Sequence, residues 1–197
     1  MKIYEDMEQG SADWFAVRLG KLTGPDAQCI ATNGKGLETL VFEKVAEIMT
    51  GKMKPQYTND DMARGKELEA LARSSYELES GFLVKKVGFM ELDENVGSSP
   101  DGLIGEDGMV EIKCKNDALF AKYMYEGKIE SAHNLQIQMN LYISGREWCD
   151  YVIFNENFPK TTIITRINKN EGDIAKLKVG IATGTSMIKT ILSKIKQ

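Results

Sequence analysis

The sequence predicts an α/β domain in which helices flank a mixed central β-sheet. The first observation is the order of segments: helical patterns, three strand-like runs, two helical patterns, two strand-like runs and a final helical pattern, which is typical of this fold class. The second is size, because 197 residues, 42% of them hydrophobic, suffice for one complete core. No repeat or low-complexity tract marks a boundary, and we expect a single domain over residues 1–197.

The N-terminal part of the chain has apolar residues at helical spacing. It covers residues 10–50, with a break at residues 33–36, where Asn-Gly-Lys-Gly disfavours a helix. A loop and a second helix are expected next, and Gly81 is a stop signal for that helix. The loop is predicted over residues 51–59 with Pro55, the helix cap at Asn59 or Asp60, and the helix end near Ser80.

Strand-like and helical patterns then alternate to the end of the chain. β-branched and aromatic residues predict the strands, and 3.6-residue spacing predicts the helices. The final helix is amphipathic, and its lysines are interpreted as a solvated face. The predicted strands are Phe82–Leu92, Val96–Ile104, Met109–Lys115, Tyr151–Asn155 and Thr161–Ile167, with a turn at 105–108, and the predicted helices are Asp117–Glu126, Ser131–Ser144 and the segment from Ile174 to Ile195.

The cysteine and histidine content excludes several kinds of site. The chain has three cysteines and no CxxC pair, which disfavours a disulfide framework, a cysteine-built zinc site and an iron–sulfur cluster. His133 is the one histidine, so a His-rich metal site or a Ser-His-Asp triad is excluded, and His133 itself is given no role. Any chemistry must therefore rest on carboxylates, lysine or arginine.

The charge distribution neither requires nor excludes nucleic acid. The net charge is −4, but from Arg166 onward seven Lys/Arg stand against two Asp/Glu. Local patches, not the total charge, decide contact with DNA. Neither an apolar run long enough for a bilayer nor a secretory signal is visible, so we expect a cytoplasmic protein of a bacterial or phage-infected cell, without a membrane partner.

Two short segments carry the candidate chemistry. They are Ser-Pro-Asp-Gly at residues 99–102 and Val-Glu-Ile-Lys at residues 110–113. In a strand, residues two apart share a face, so Glu111 and Lys113 point the same way. Asp101 lies across the predicted turn from them. Two carboxylates suit a hard cation such as Mg²⁺, and the lysine adds a positive charge near the water or phosphate.

A surface hairpin with an exposed ion pair would show the same three residues. Asp-Gly is common in turns and Glu-x-Lys is common on strands, so the pattern Asp101…Glu111-x-Lys113 alone is not specific. Further segments of the chain must decide between the two interpretations.

Four separated segments resemble one nuclease family. Together they cover about residues 10–145, and they occur in the family's order. The pattern resembles PD-(D/E)XK nucleases and, more specifically, the phage lambda-type alkaline exonucleases, or YqaJ-like viral recombinases. The segments are Trp-Phe-Ala-Val-Arg-Leu-Gly-Lys-Leu-Thr at 14–23, Gly-Lys-Glu-Leu-Glu at 65–69, the two hairpin segments, and Gln-Ile-Gln at 136–138. The resemblance implies a restriction-endonuclease-like core.

The resemblance also implies roles for the residues that match the motifs. Asp101, Glu111 and the backbone carbonyl of Ile112 would bind metal, Mg²⁺ with Mn²⁺ as a possible substitute. Glu69 would complete the acidic site, and Lys113 would be the catalytic lysine. Gln136 would lie beside the site, with Gln138 as its competitor for that role.

A pocket for a 5′-terminal phosphate is implied near the N-terminus. Arg18 and Thr23 would line it, and arginine suits phosphate because its fork pairs with two oxygens. Pro25 departs from the family pattern, since a small hydroxyl residue is expected there and proline has no backbone N–H. Strict dependence on a 5′ phosphate is therefore in question. An ion-pair role for Arg18 is the alternative.

The implied activity is 5′→3′ digestion of one strand of linear duplex DNA, leaving 3′ overhangs for annealing-type recombination. A ring-shaped homotrimer and a single-strand annealing recombinase are the implied partners. Two alternatives stay open: an endonuclease on the same core, selective for structure or sequence, and an inactive DNA-binding or assembly protein.

Overall fold

The computed structural model describes residues 1–53 and 60–195, apart from the side chains of residues 60–63 and 66. The possible cap at Asn59 and most of the predicted loop lie outside the described residues.

Seven strands and seven α-helices form within the described residues. The bounds of the α5 and α6 helices agree with those predicted. In chain order the elements are β1 Lys2–Tyr4, α1 Ala12–Arg18, a 3₁₀ turn Gly24–Asp26, α2 Ala27–Thr32, α3 Lys35–Thr50, α4 Asp60–Ser80, β2 Phe89–Asp93, β3 Val96–Ser98, β4 Gly102–Ile104, β5 Gly108–Cys114, α5 Asp117–Glu126, α6 Ser131–Ser144, β6 Trp148–Phe154, β7 Thr162–Asn168 and α7 Glu171–Ile195.

The central sheet is mixed, which confirms the predicted fold class. Its strand order is β4-β5-β6-β7. β4 and β5 form an antiparallel hairpin, β5 and β6 are parallel, and β6 and β7 are antiparallel. The parallel pair needs a long crossover, and α5 and α6 provide it. A second sheet, with the order β1-β2-β3, was not predicted because β1 has only three residues.

Two predicted strands were wrong in extent. The strand predicted from Phe82 to Leu92 begins only at Phe89 and ends at Asp93, and before it Lys85 makes an isolated bridge to Leu103. The segment predicted as one strand from Val96 to Ile104 is two strands in different sheets. Pro100 separates them, since proline has no N–H for a ladder. The carbonyl of Pro100 accepts a hydrogen bond from the side chain of Gln9 instead.

The first helical region is broken twice. The predicted break is confirmed, because Asn33 ends α2 in the left-handed conformation, with φ of 51°. A further break after Arg18 was not predicted. There the chain leaves α1, passes beside β3 through a bridge between Leu22 and Val96, and turns at Gly24–Asp26. This second break brings residues 18–24 beside the strands that precede Asp101.

α7 packs on the N-terminal helices through small residues. Buried Ile174, Leu177, Ile181 and Ile188 form its apolar face, as the spacing predicted. A Cβ placed on Gly180 would lie 1.9 Å from the carbonyl oxygen of Ile30. The helices approach closely only because this position has no side chain. No helix in the described part of the chain is long and apolar enough to cross a membrane.

A partly buried histidine links α6 to the central sheet. Nδ1 of His133 lies 2.8 Å from the Tyr151 hydroxyl, and its distance to the Glu130 carboxylate is 3.9 Å. Burial and then the charges of Lys113 and Lys115 lower the pKa of His133 to about 4, although Glu130 acts in the opposite direction. The folded protein therefore favours neutral His133.

We expect Gly180→Ala to reduce the free energy of unfolding by about 1–3 kcal/mol, because the new methyl group must push α7 away from the Ile30 backbone. Gly65→Ala is the matched control. Gly65 is also helical, and nothing lies within 4 Å of its Cβ position, so alanine there should be neutral or slightly stabilising. Urea unfolding measures both. Equal effects would contradict the close contact.

The contribution of His133 to stability should fall as the pH falls from about 6.5 towards 4. In that interval the unfolded chain protonates His133 and the folded chain resists, so at this residue the unfolded state binds more protons. His133→Gln removes this contribution. Over the same pH interval the wild type should lose up to about 3 kcal/mol of unfolding free energy relative to the variant, because one unit of pKa corresponds to about 1.4 kcal/mol. Urea unfolding at several pH values measures the difference. Parallel curves would contradict the assignment.

Candidate active site

The β4–β5 hairpin brings Asp101 to the strand that carries Glu111 and Lys113. Asp101 immediately precedes β4, and Gly102 pairs with Val110. Oδ2 of Asp101 accepts a hydrogen bond of 2.6 Å from the backbone N–H of Ile112. A Cβ on Gly102 would lie 2.1 Å from Cγ1 of Val84, so the tight start of β4 needs glycine. The Asp-Gly pair thus has a structural reason as well as a chemical one.

Glu111 is buried, with 2% of its surface exposed. Its Oε1 accepts hydrogen bonds of 2.7 Å from Nζ of Lys113 and from Nε2 of Gln136. Its Oε2 accepts a longer bond of 3.4 Å from Nδ2 of Asn140. Three donors from β5 and α6 therefore hold this carboxylate in one orientation.

The two carboxyl groups interact strongly. Burial and then the charge of Glu111 raise the pKa of Asp101 to about 8, against the opposing effects of Lys113 and of the Ile112 N–H. Burial acts to lower the pKa of Lys113, but Glu111 and Asp101 outweigh it and raise that pKa above its ordinary value. The lysine is therefore an ammonium group at neutral pH, which suits a fixed positive charge rather than a general base.

The donor set fits a hydrated hard cation. Asp101 and Glu111 offer carboxylate oxygens, and Mg²⁺ is usually bound by one or two carboxylates and several waters. Among the described side chains, no group of three or more His, Cys, Asp or Glu is arranged to hold a metal. A closed protein cage of the zinc type is thus not formed there, and a further protein ligand would be a backbone carbonyl such as that of Ile112.

Glu69 lies near the hairpin without joining it. It lines a cavity of about 420 Å³ together with Asp101, Arg73 and Lys86. Its Oε1 accepts a hydrogen bond of 3.2 Å from Nη1 of Arg73, one helical turn later. The structure therefore brings Glu69 to the same cavity as Asp101 but does not place it in a cluster with Asp101 and Glu111.

The two glutamines of α6 have different surroundings. Gln136 donates to Glu111, whereas Gln138 donates to the carbonyl of Asn168 and accepts from the N–H of Asn170. Residues two apart on a helix face different sides, so one contacts the carboxylate and the other the end of β7. The structure places Gln136, and not its competitor, beside the site.

Arg18 is a buried cation near the hairpin. It is 5% exposed, and its guanidinium lies 4.1 Å from the ring centroid of Trp14. Its Nη1 donates to the Ser99 hydroxyl at 3.2 Å and its Nη2 to the Thr23 hydroxyl at 3.4 Å. Burial lowers the pKa of Arg18 to about 10, so it stays charged at neutral pH. Arg18 and Thr23 are thus brought together. Ser99, which Arg18 also contacts, precedes Asp101 by two positions.

Arg18 has no direct counter-ion among the residues that the structure describes. Within the described residues no carboxylate oxygen lies within 4 Å of its guanidinium, and its Nε has no hydrogen-bond partner. The Asp26 carboxylate is linked to Arg18 through Thr23, because its Oδ2 accepts hydrogen bonds from both the N–H and the hydroxyl of Thr23. A buried, incompletely paired arginine is costly to keep, which favours an anion-binding role over an ion-pair role.

Three polar side chains at this site were not predicted from the sequence. Ser99 accepts hydrogen bonds from both Trp14 and Arg18, and Gln9 donates to the carbonyls of Val87 and Pro100. Asn140 is the third. It stands four residues after Gln136, the spacing of neighbours on one helix face, which is the signal that could have found it. For Gln9 no local pattern points to Pro100, which is 91 residues away.

Comparisons with known proteins agree with this architecture. The alkaline exonuclease LHK-Exo of Laribacter hongkongensis is 30% identical, with a TM-score of 0.88 over 94% of this chain and 96% of that chain. Its complex with dAMP has a TM-score of 0.87 at the same identity and coverage. A phage-related exonuclease of Haemophilus somnus shares the fold, at 15% identity, with a TM-score of 0.68 over 89% of this chain and 96% of that one. A comparison with curated protein sequences found no match.

The family model described as a YqaJ-like viral recombinase domain matches residues 13–147. That range includes Arg18, the hairpin and Gln136, and it covers more than half of the chain. The predicted resemblance is confirmed: the chain belongs to the YqaJ-like viral recombinase family.

Proposed function

We propose that this protein is a metal-dependent nuclease that degrades linear duplex DNA from its 5′ ends. The observation that carries the proposal is the hairpin itself, where Asp101 and Glu111 adjoin the charged Lys113 and Gln136 orients Glu111. The family and the similarity to LHK-Exo support a nuclease acting on DNA. The polarity, the 3′ overhang and the role in recombination are expectations that rest on the family resemblance.

Each residue has a distinct part in phosphodiester hydrolysis. Asp101 and Glu111, with the carbonyl of Ile112, would hold Mg²⁺, or Mn²⁺ in its place. When bound, such an ion lowers the pKa of water and offsets charge on the phosphate oxygens. Lys113 supplies a fixed positive charge for the phosphate, and Gln136 keeps Glu111 in position. Glu69 lines the cavity. We propose that it binds the metal ion through a water molecule, or directly once its hydrogen bond with Arg73 is broken.

Arg18 gives the proposed enzyme its preference for an end. Its guanidinium donates to the hydroxyls of Thr23 and Ser99 beside the hairpin, and the same forked donors suit a terminal phosphate. Pro25 contributes no donor in the turn that follows, so we expect a preference for 5′-phosphorylated ends rather than strict dependence. Binding an end beside the hydrolytic site favours stepwise removal of nucleotides.

The assembly and the partner are further proposals. A ring-shaped homotrimer would keep the enzyme on linear DNA, and a single-strand annealing recombinase would use the exposed 3′ strand. Both rest on the resemblance to the lambda-type exonucleases, and sedimentation of the purified chain with and without duplex DNA tests the first.

Lys113→Ala and Asp101→Ala should each reduce cleavage of linear duplex DNA in Mg²⁺ by at least about 100-fold, because the first removes a positive charge at the phosphate and the second removes a ligand of the proposed metal ion. Lys115→Ala is the matched control. Lys115 is the next lysine along the chain, directly after the end of β5, but it pairs with Glu130, so its loss should change the rate little. Gel analysis with strand-specific 5′ and 3′ labels measures rate and polarity.

A closed circular duplex separates the alternatives in the same assay. An intact circle beside a digested linear substrate supports the exonuclease. A cut circle would keep the active site but make the protein an endonuclease, and no cleavage in Mg²⁺ or Mn²⁺ would leave the binding-protein alternative. Full activity of Asp101→Ala would remove the proposed site.

Arg18→Lys should lower the rate on 5′-phosphorylated ends by about 10- to 100-fold, the cost of hydrogen bonds to a charged group, and should leave the rate on 5′-hydroxyl ends nearly unchanged. Lysine keeps the charge but not the forked donor geometry. The measurement is the ratio of initial rates on the two kinds of end. An unchanged ratio would place the phosphate pocket elsewhere.

A further inference from the structure

Asn140 is a buried polar residue that the proposed chemistry has not used. It lies on α6, one turn after Gln136, and is 1% exposed. Its Nδ2 donates to Oε2 of Glu111 at 3.4 Å, while Gln136 donates to Oε1 at 2.7 Å. The two amides of α6 therefore contact different oxygens of the same carboxylate.

The remaining polar atom of Asn140 gives no other reason for an amide at this position. Its Oδ1 is buried and has no hydrogen-bond partner among the described atoms. An unpaired buried carbonyl oxygen is unfavourable, so an apolar side chain would suit a merely structural position better. The contact with Glu111 is thus the interaction that accounts for asparagine here.

Gly24 makes room for this side chain. A Cβ on Gly24 would lie 2.8 Å from Oδ1 of Asn140 and 3.4 Å from Cγ of Gln136. Gly24 directly follows Thr23, whose hydroxyl contacts Arg18. Asn140 therefore lies between Glu111 and the segment that we propose to bind the DNA end.

We propose that Asn140 is a positioning residue that holds the Oε2 side of Glu111 for metal binding, and that Gly24 is required for its placement. The proposal rests on the proposed metal-dependent function. Groups that orient a metal ligand without touching the metal typically change its affinity by about 10- to 100-fold when they are removed. The loss should therefore appear in metal binding before any DNA is added.

The test measures Mn²⁺ binding to the DNA-free protein by the electron paramagnetic resonance signal of free Mn²⁺. Asn140→Ala is compared with Gln138→Ala, a matched truncation of an equally buried amide on the same helix. The hydrogen bonds of Gln138 within the described residues go to Asn168 and Asn170, at the end of β7. We expect Asn140→Ala to raise the Mn²⁺ dissociation constant about tenfold and Gln138→Ala to change it less than twofold. The Mg²⁺ concentration for half-maximal cleavage should rise in parallel.

Circular dichroism shows whether Asn140→Ala is folded. If it is not, Asn140→Leu, which retains the side-chain volume, replaces it in the same measurement. Equal Mn²⁺ affinities for the Asn140 and Gln138 variants would overturn the positioning role. If the wild type neither binds Mn²⁺ nor cleaves DNA, the proposed function itself is overturned. Wild-type activity measured beside the variants separates the two failures.

Gly24→Ala tests the second half of the proposal. In the wild type it should weaken Mn²⁺ binding several-fold, because the new methyl group displaces Asn140. In the Asn140→Ala background the displaced side chain is absent, so the same change should cost clearly less, which a double-mutant cycle detects. Equal costs in the two backgrounds would show that Gly24 acts without Asn140.

Discussion

The buried carboxylate of Glu111 is the constraint on which the rest of the site depends. A negative charge with 2% exposure is stable only if donors replace the water that it loses. Lys113, Gln136 and Asn140 are those donors, and they come from two elements that the chain separates by about 20 residues. The packing of α6 on the central sheet is therefore a requirement of the chemistry as well as of the core.

The same constraint explains why the hairpin is built tightly. Asp101 must approach Glu111 although both are acidic, and the 2.6 Å bond from the Ile112 N–H fixes it there. Burial and then the charge of Glu111 raise the pKa of Asp101, and a cation between the two carboxyl groups would lower it again. Lys113 offsets part of this charge, which keeps its own ammonium protonated. A bound cation would therefore favour the charged form of Asp101.

A second set of contacts connects this centre to the N-terminal region. The break after Arg18 places residues 18–24 against β3 and α6. The buried Arg18 therefore contacts Ser99, which precedes Asp101 by two positions in the chain. Gln9 holds the carbonyl of Pro100 on the other side. The segment Ser99-Pro100-Asp101 is therefore fixed from both sides, and it carries the end-binding and the hydrolytic groups in adjacent positions.

The sequence by itself determined the features that local geometry controls. Strand alternation put Glu111 and Lys113 on one face, glycine and asparagine ended helices, and apolar spacing located α5, α6 and α7. The tertiary structure alone decided that residues 96–104 split between two sheets, that Gln136 rather than Gln138 meets Glu111, and that Asn140, Ser99 and Gln9 support the hairpin. These contacts join residues 25 to 91 positions apart. They depend on how finished elements pack against each other, and no periodicity within a short segment encodes that packing.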